Sequence, residues 1–458
     1  MTFRSAIFIT AFLLVSYSSV DAYASTDDLQ HKINTNHITN NQDREAYAQP
    51  FAGLSDAELE QFFRGRNLFR QSWVIAPARD TAVGLGPLYN RIACVSCHPK
   101  NGRGRAPEDE NERMQSMLVR LSVAGKTKHG NPKPHPSYGN QLNEEGIPGV
   151  PGEGRAQVQW QYETVSFADG TKIRLRKPQL TFSELNYGAL EPVQTSARIG
   201  PVVFGLGLLD AVSEQDLLAL AQQPKPDDIS GKVNRVWDIA SHQYKTGRFG
   251  AKANAASLRG QTVEAMLGDL GITSSLLPKE NCLPHQHQCL AAPNGGSPEL
   301  KDEQLADLEF YFRHLAVPVR RNINNAQVKE GETLFADLGC AVCHRPEMRT
   351  ARNYPHKHLA DLRFHPYTDL LLHDMGQGLA DNRPDFQATG SEWRTPPLWG
   401  IGLTELINEY QSYLHDGRAQ SFAEAILWHG GDAAKSRERY RNLPQTKRNA
   451  IDQFLLSL

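Results

Sequence analysis

The chain has 458 residues, 40% of them apolar and 22% charged, which excludes wholesale disorder and leaves room for about three domains. Lys plus Arg number 49 and Asp plus Glu 51, a net charge of -2, and so even a balance argues against nucleic acid as a partner. Six cysteines are too few for a disulfide scaffold, but their placement points to chemistry.

At the N-terminus, Arg4 precedes the mostly apolar run Ala6 to Val15, and Ala22-Tyr-Ala24 has the small-x-small form of a cleavage site. Residues 1–24 are therefore read as a signal peptide, and the mature chain is expected in a bacterial periplasm. An uncleaved membrane anchor is the alternative. No later segment approaches 18 continuous apolar residues, so no stable membrane insertion of the mature protein is expected.

Gly65-Arg-Asn-Leu-Phe69 reads as helix and precedes Cys94-Val-Ser-Cys97-His98. C-x-x-C-H is the attachment signature of c-type haem. Thiols at i and i+3 face the same way on a helical turn, where they meet the two haem vinyl carbons. The following imidazole turns toward the iron. Cys94 and Cys97 are thus expected to hold a haem covalently, with His98 on the metal. A zinc clamp and a thioredoxin-like redox pair are the competing readings of C-x-x-C.

Lys100, Arg103 and Arg105 follow, as candidate partners for haem propionates or simply a solvated charged face. Met114, Met117, His129 and His135 lie within reach of this haem, but none is singled out as its sixth ligand. This haem is expected to be the reactive one. Between about 120 and 200, Gln157 to Phe167 and Lys172 to Arg176 alternate as strands about the turn signal Asp169-Gly170. They predict a small β-rich insert.

Cys282 and Cys289 bracket six residues and predict a structural disulfide, with a metal site through His285 and His287 as the alternative. Leu300 to Leu315 is an amphipathic helix, and the chain is expected to divide near Val317-Pro318.

The pattern then recurs. Gly331-Glu-Thr-Leu-Phe335 precedes Cys340-Ala-Val-Cys343-His344, and Thr446 to Leu458 is a closing amphipathic helix. Six Cys and sixteen His in random order would give on the order of 0.003 C-x-x-C-H motifs, and this chain has two. Cys340 and Cys343 are expected to hold a second haem with His344 on its iron. Met375 lies far enough along to wrap to the opposite face and is the candidate sixth ligand, with His373 as rival. Arg345, Arg349 and Arg352 are further candidate propionate partners. The predicted fold is mainly α: two tandem cytochrome c-like haem domains over 50–318 and 319–458, the first carrying the β-rich insert.

The segments Arg394-Thr-Pro-Pro-Leu-Trp-Gly400, Tyr413-Leu-His-Asp-Gly-Arg418 and Ala423-Glu-Ala-Ile426 look like those of bacterial di-haem cytochrome c peroxidases. With Cys94 to Arg105, Phe204 to Leu209, Gly247 to Gly250 and Leu371 to Gly376, the chain resembles the di-haem oxidoreductase family, often labelled thiol oxidoreductases. The resemblance implies two haems, one exchanging electrons with a redox partner protein such as a small cytochrome, the other meeting a small-molecule or protein substrate. A pure di-haem electron carrier without substrate turnover is the alternative. His415, Asp416 and Trp399 either line the gap between the haems or serve as loop and packing residues.

Overall fold

Ser55 and Glu58 form a reciprocal capping box that starts the helix Asp56–Arg70. The helix runs to Arg70, with Phe62, Gly65, Leu68 and Phe69 giving it one buried face. That face packs against the helix Asp302–Arg313, whose Leu305, Leu308, Tyr311 and Phe312 are buried. The computed structural model describes residues 35–79 and 82–458, so the signal-peptide expectation lies outside the described residues. No helix among the described residues is long and apolar enough to cross a membrane.

The same crossing recurs between Ala326–Asp337 and Gln445–Ser457. Gly65 and Gly331 sit where each pair meets. A Cβ on Gly65 would collide with the Asp307 carbonyl, and one on Gly331 with that of Ala450. The leading Gly of each G-x-x-L-F stretch is thus the price of a close helix approach.

The expectation of a mainly α fold is corrected. Helices account for 31% and strands for 20%, with seven small sheets among the described residues, and no tandem cytochrome c fold is shown. Eleven of these strands are only two to four residues long, too short for the alternation that reveals a strand in sequence. The longest strands, Arg155–Ser166 and Lys172–Ser183, pair antiparallel over their whole length. Gly170, at φ +84°, makes the turn, and Asp169 accepts from the Thr171 amide. A second sheet pairs Met117–Lys126 with Gln194–Ile199.

Residues 35–458 form one unit. The largest apolar core takes Phe62, Phe69, Leu208 and Tyr311 from before Val317 and Met348, Phe364, Trp399 and Leu403 from after it. A second core joins Phe167 and Leu175 of the hairpin to Phe335, Trp428 and Phe454. The hairpin is therefore more than an outgrowth of the first half. Its Arg176 donates to the carbonyls of Gly417 and Arg418. Cys282 and Cys289 form the expected disulfide, and His285 packs edge-on to Tyr187.

Candidate functional site

Each C-x-x-C-H opens on a single 3-10 turn, Cys94–Ser96 and Cys340–Val342, directly after the first helix of its pair or the loop that follows it. In both, the Phe of G-x-x-L-F faces the motif histidine. The ring centres are 6.3 Å apart for Phe69 and His98 and 6.2 Å for Phe335 and His344. His98 Nδ1 donates to the Pro201 carbonyl at 2.6 Å, and His344 Nδ1 donates to the Tyr367 carbonyl at 3.1 Å. That bond fixes the tautomer and leaves Nε2 as the free base, the arrangement a metal-binding imidazole needs. Burial pulls both histidines below their ordinary value, His344 to about 4, so both are neutral.

None of the four motif cysteines is disulfide-bonded. Burial pushes the thiols of Cys94, Cys97 and Cys340 up to about 12. Among the described residues, no three His, Cys, Asp or Glu side chains group as metal ligands.

Beside the second motif lies a largely apolar cavity of about 170 Å³ that opens to the surface. Phe335, Leu379, Ile426 and Leu455 supply apolar walls. His344, Met375, His415, Asp416 and His429 also face it, with Arg103 and Arg394. Met375 therefore shares the cavity of His344, as the nomination of a sixth ligand requires. His373 does so too, but its nitrogens are engaged: Nε2 stands 2.9 Å from Asp369 and Nδ1 3.5 Å from Asp432. Burial lowers its pKa, and the two carboxylates with the Cys343 sulfur outweigh this and hold it up to about 12. A protonated imidazole has no lone pair for iron.

The two arginines meet no carboxylate in these bonds. Arg103 donates to the carbonyls of Ser412 and Leu414, at 2.9 and 2.6 Å. Arg394 donates to those of Gly250 and Thr395. Burial lowers both, Arg394 to about 10, and Arg394 also feels the charge of Arg103, against a smaller opposing effect of Asp369. Buried like charges in an apolar cavity call for an anion, and haem propionates supply two carboxylates. Of the six basic residues singled out after the motifs, Arg103 alone lines this cavity. Arg105 pairs with Glu112, and Arg349 and Arg352 pair with Asp361. Lys100 borders a small pocket with Phe69 and Val95 beside the first motif.

Around that first motif, the nearby sulfur and imidazole side chains are engaged elsewhere. Met114 and Met117 belong to a separate β-sheet core. His129 stacks on Trp237, with ring centres 4.0 Å apart. His135 accepts from the Ser137 amide within its own turn. Asp269 lies close enough that its charge is felt by Cys94, Cys97 and His98.

His415 lies flat on Trp393, with centres 5.1 Å apart, and its Nε2 donates to the Arg394 carbonyl at 3.0 Å. Asp416 is paired with Arg418. Trp399 is buried against Phe364 and over Gly205, as a packing residue is. Sequence reasoning missed Arg394 as a cavity cation, and it missed Asp269 and His429. For His429 a signal existed: it ends the helix Phe422–Trp428 and is followed by Gly430-Gly431.

Among solved structures, the chain is similar to Kuenenia stuttgartiensis hydrazine synthase pressurized with xenon. The identity is 13% and the TM-score 0.36, over 97% of this chain and 100% of that one. No curated protein matches it. Residues 29–458 match the family described as "Di-haem oxidoreductase, putative peroxidase". With two C-x-x-C-H turns each presenting a neutral imidazole, and a match over nearly the whole sequence, the chain belongs to the di-haem oxidoreductase family.

Proposed function

We propose that this chain is an exported c-type di-haem oxidoreductase. Cys94 and Cys97 would link one haem and Cys340 and Cys343 the other, with His98 and His344 on the irons. The observation that carries the reading is the shared geometry of the two motifs. Each histidine donates Nδ1 to a backbone carbonyl and keeps Nε2 free beside a pair of thiols.

The haems, when bound, supply one-electron chemistry. The protein's part is orientation and electrostatics. Pro201 and Tyr367 hold the imidazoles in one tautomer, Phe69 and Phe335 pack behind them, and Arg103 and Arg394 neutralise carboxylates in the second cavity. In this reading the second site passes electrons to or from a redox partner protein. The first meets substrate, because Met114, Met117, His129 and His135 are all occupied elsewhere. A cytochrome c peroxidase-like reaction is the activity proposed, and a periplasmic location follows from the expected leader.

The test is the mature protein made in a host competent for haem attachment. Its intact mass should exceed the polypeptide by two haems. EPR of the half-reduced form should show one high-spin, ligand-accessible haem, with turnover of peroxide. Two low-spin, ligand-inert haems in every redox state would identify an electron carrier instead.

A further inference from the structure

The geometry points to His429 as the sixth ligand of the second haem, opposite His344, in place of Met375. The inference rests on the di-haem reading above.

The ring centres of His344 and His429 lie 6.4 Å apart, their planes at 51°. A metal–imidazole bond of about 2.0 Å, plus roughly 1.2 Å from nitrogen to ring centre, places two opposed ligands ~6.4 Å apart. The observed separation is therefore that of two imidazoles sharing one iron. Orientation agrees with distance. His429 Nδ1 donates to the Ala425 carbonyl at 2.7 Å, one turn back in its own helix, so Nε2 is its free nitrogen. His344 is tied in the same way by Tyr367. Both rings line one cavity.

The other imidazoles there are less free. His373 is held at both nitrogens by carboxylates, and His415 lies flat on Trp393. Met375 approaches the His429 segment through its backbone. A Cβ on Gly430, the residue after His429, would sit 2.9 Å from the Met375 carbonyl. The close backbone approach fixes His429 while Met375 packs into the apolar wall with Phe335 and Trp428. Two imidazoles in place of imidazole and thioether also lower the reduction potential, since Met ligation raises it. Either ligand pair leaves the second haem six-coordinate and low-spin, which suits an electron-transfer site.

The experiment is EPR with near-infrared magnetic circular dichroism on the ferric holoprotein, compared with Met375→Ala and His429→Ala. Haem content per chain is measured alongside. The wild type should show a bis-histidine charge-transfer band, unchanged in Met375→Ala. His429→Ala should lose one low-spin signal while keeping two haems, and added imidazole should restore the signal. Should His429→Ala fail to fold, the wild-type band still decides. A histidine–methionine band, or loss of the low-spin signal in Met375→Ala alone, overturns the assignment and leaves the di-haem reading standing. A wild-type chain without two haems overturns both.

Discussion

Arg103 and Arg394 reach one cavity from opposite ends of the sequence, and both guanidiniums donate to backbone carbonyls there. Arg103 follows the first C-x-x-C-H, yet it serves the cavity of the second. Arg103 lowers the affinity of Arg394 for its proton, Asp369 offsets part of this, and a further anion in the cavity would relieve the rest. Replacing Arg394 by Leu should remove one partner of a buried ion pair in the haem-loaded protein, at a cost of about 3–5 kcal/mol. Losing a positive charge also disfavours the reduced, more negative centre, so the potential of the second haem should fall. Redox titration with thermal unfolding checks both effects. Arg394→Lys should restore little, because a point charge does not reproduce a planar fork.

The helix crossings allow a stability prediction without any cofactor. At Gly331 a methyl group would strike the Ala450 carbonyl and come within 2.8 Å of Phe454 Cβ. At Gly65 it would strike the Asp307 carbonyl and come within 2.7 Å of Tyr311 Cβ. Backbone atoms cannot rotate aside, so either Gly→Ala change should push the helices apart and cost about 1–3 kcal/mol or more. Urea unfolding of each variant measures it. Because Phe69 and Phe335 face the motif histidines from these helices, haem incorporation should fall too.

What the sequence made legible was local. Cys94, Cys97 and His98, like Cys340, Cys343 and His344, are set by spacing within one turn. The hairpin about Asp169-Gly170 follows from alternation and turn chemistry, and the Cys282–Cys289 pairing from a short loop. Tertiary partners were not legible. A run of basic residues does not say which side chain meets Glu112 or Asp361 and which enters a cavity. Nor does helical periodicity weigh 2-residue ladders such as Met348–Arg349 with Arg363–Phe364, so the mainly α expectation overshot.

His314 provides a pH dependence remote from the motifs. It caps the helix Asp302–Arg313, stacks on Phe310 and lies edge-on to Phe51. Burial lowers its pKa to about 4, against a smaller opposing effect of the Phe310 carbonyl. The unfolded chain, with an ordinary histidine near 6.5, therefore binds more protons than the folded one between about pH 6.5 and 4. Stability should fall as pH drops through that window, by about 2–3 kcal/mol. His314→Gln should flatten this part of the curve, and urea midpoints measured from pH 7 to 4 would show whether it does.

Asp269 offers the counterpart to the arginines, a negative charge beside the first motif. Its carboxylate accepts from Gln141 Nε2 at 2.8 Å, and its backbone carbonyl receives the amides of Asn90 and Arg91, which lead into Cys94. The side chain is thus held close to the motif by both ends of its residue. A fixed anion near a redox centre stabilises the oxidised state, and inside a protein the interaction survives screening better than at the surface. Asp269→Asn keeps the shape and the bond to Gln141 while removing the charge. The potential of the first haem should rise by tens of millivolts, with that of the second unmoved. Arg394→Leu should do the reverse, lowering the second and sparing the first. If Asp269→Asn shifted both haems equally, the charge would not be acting at the first site, and the division of labour between the two motifs would lose its electrostatic support.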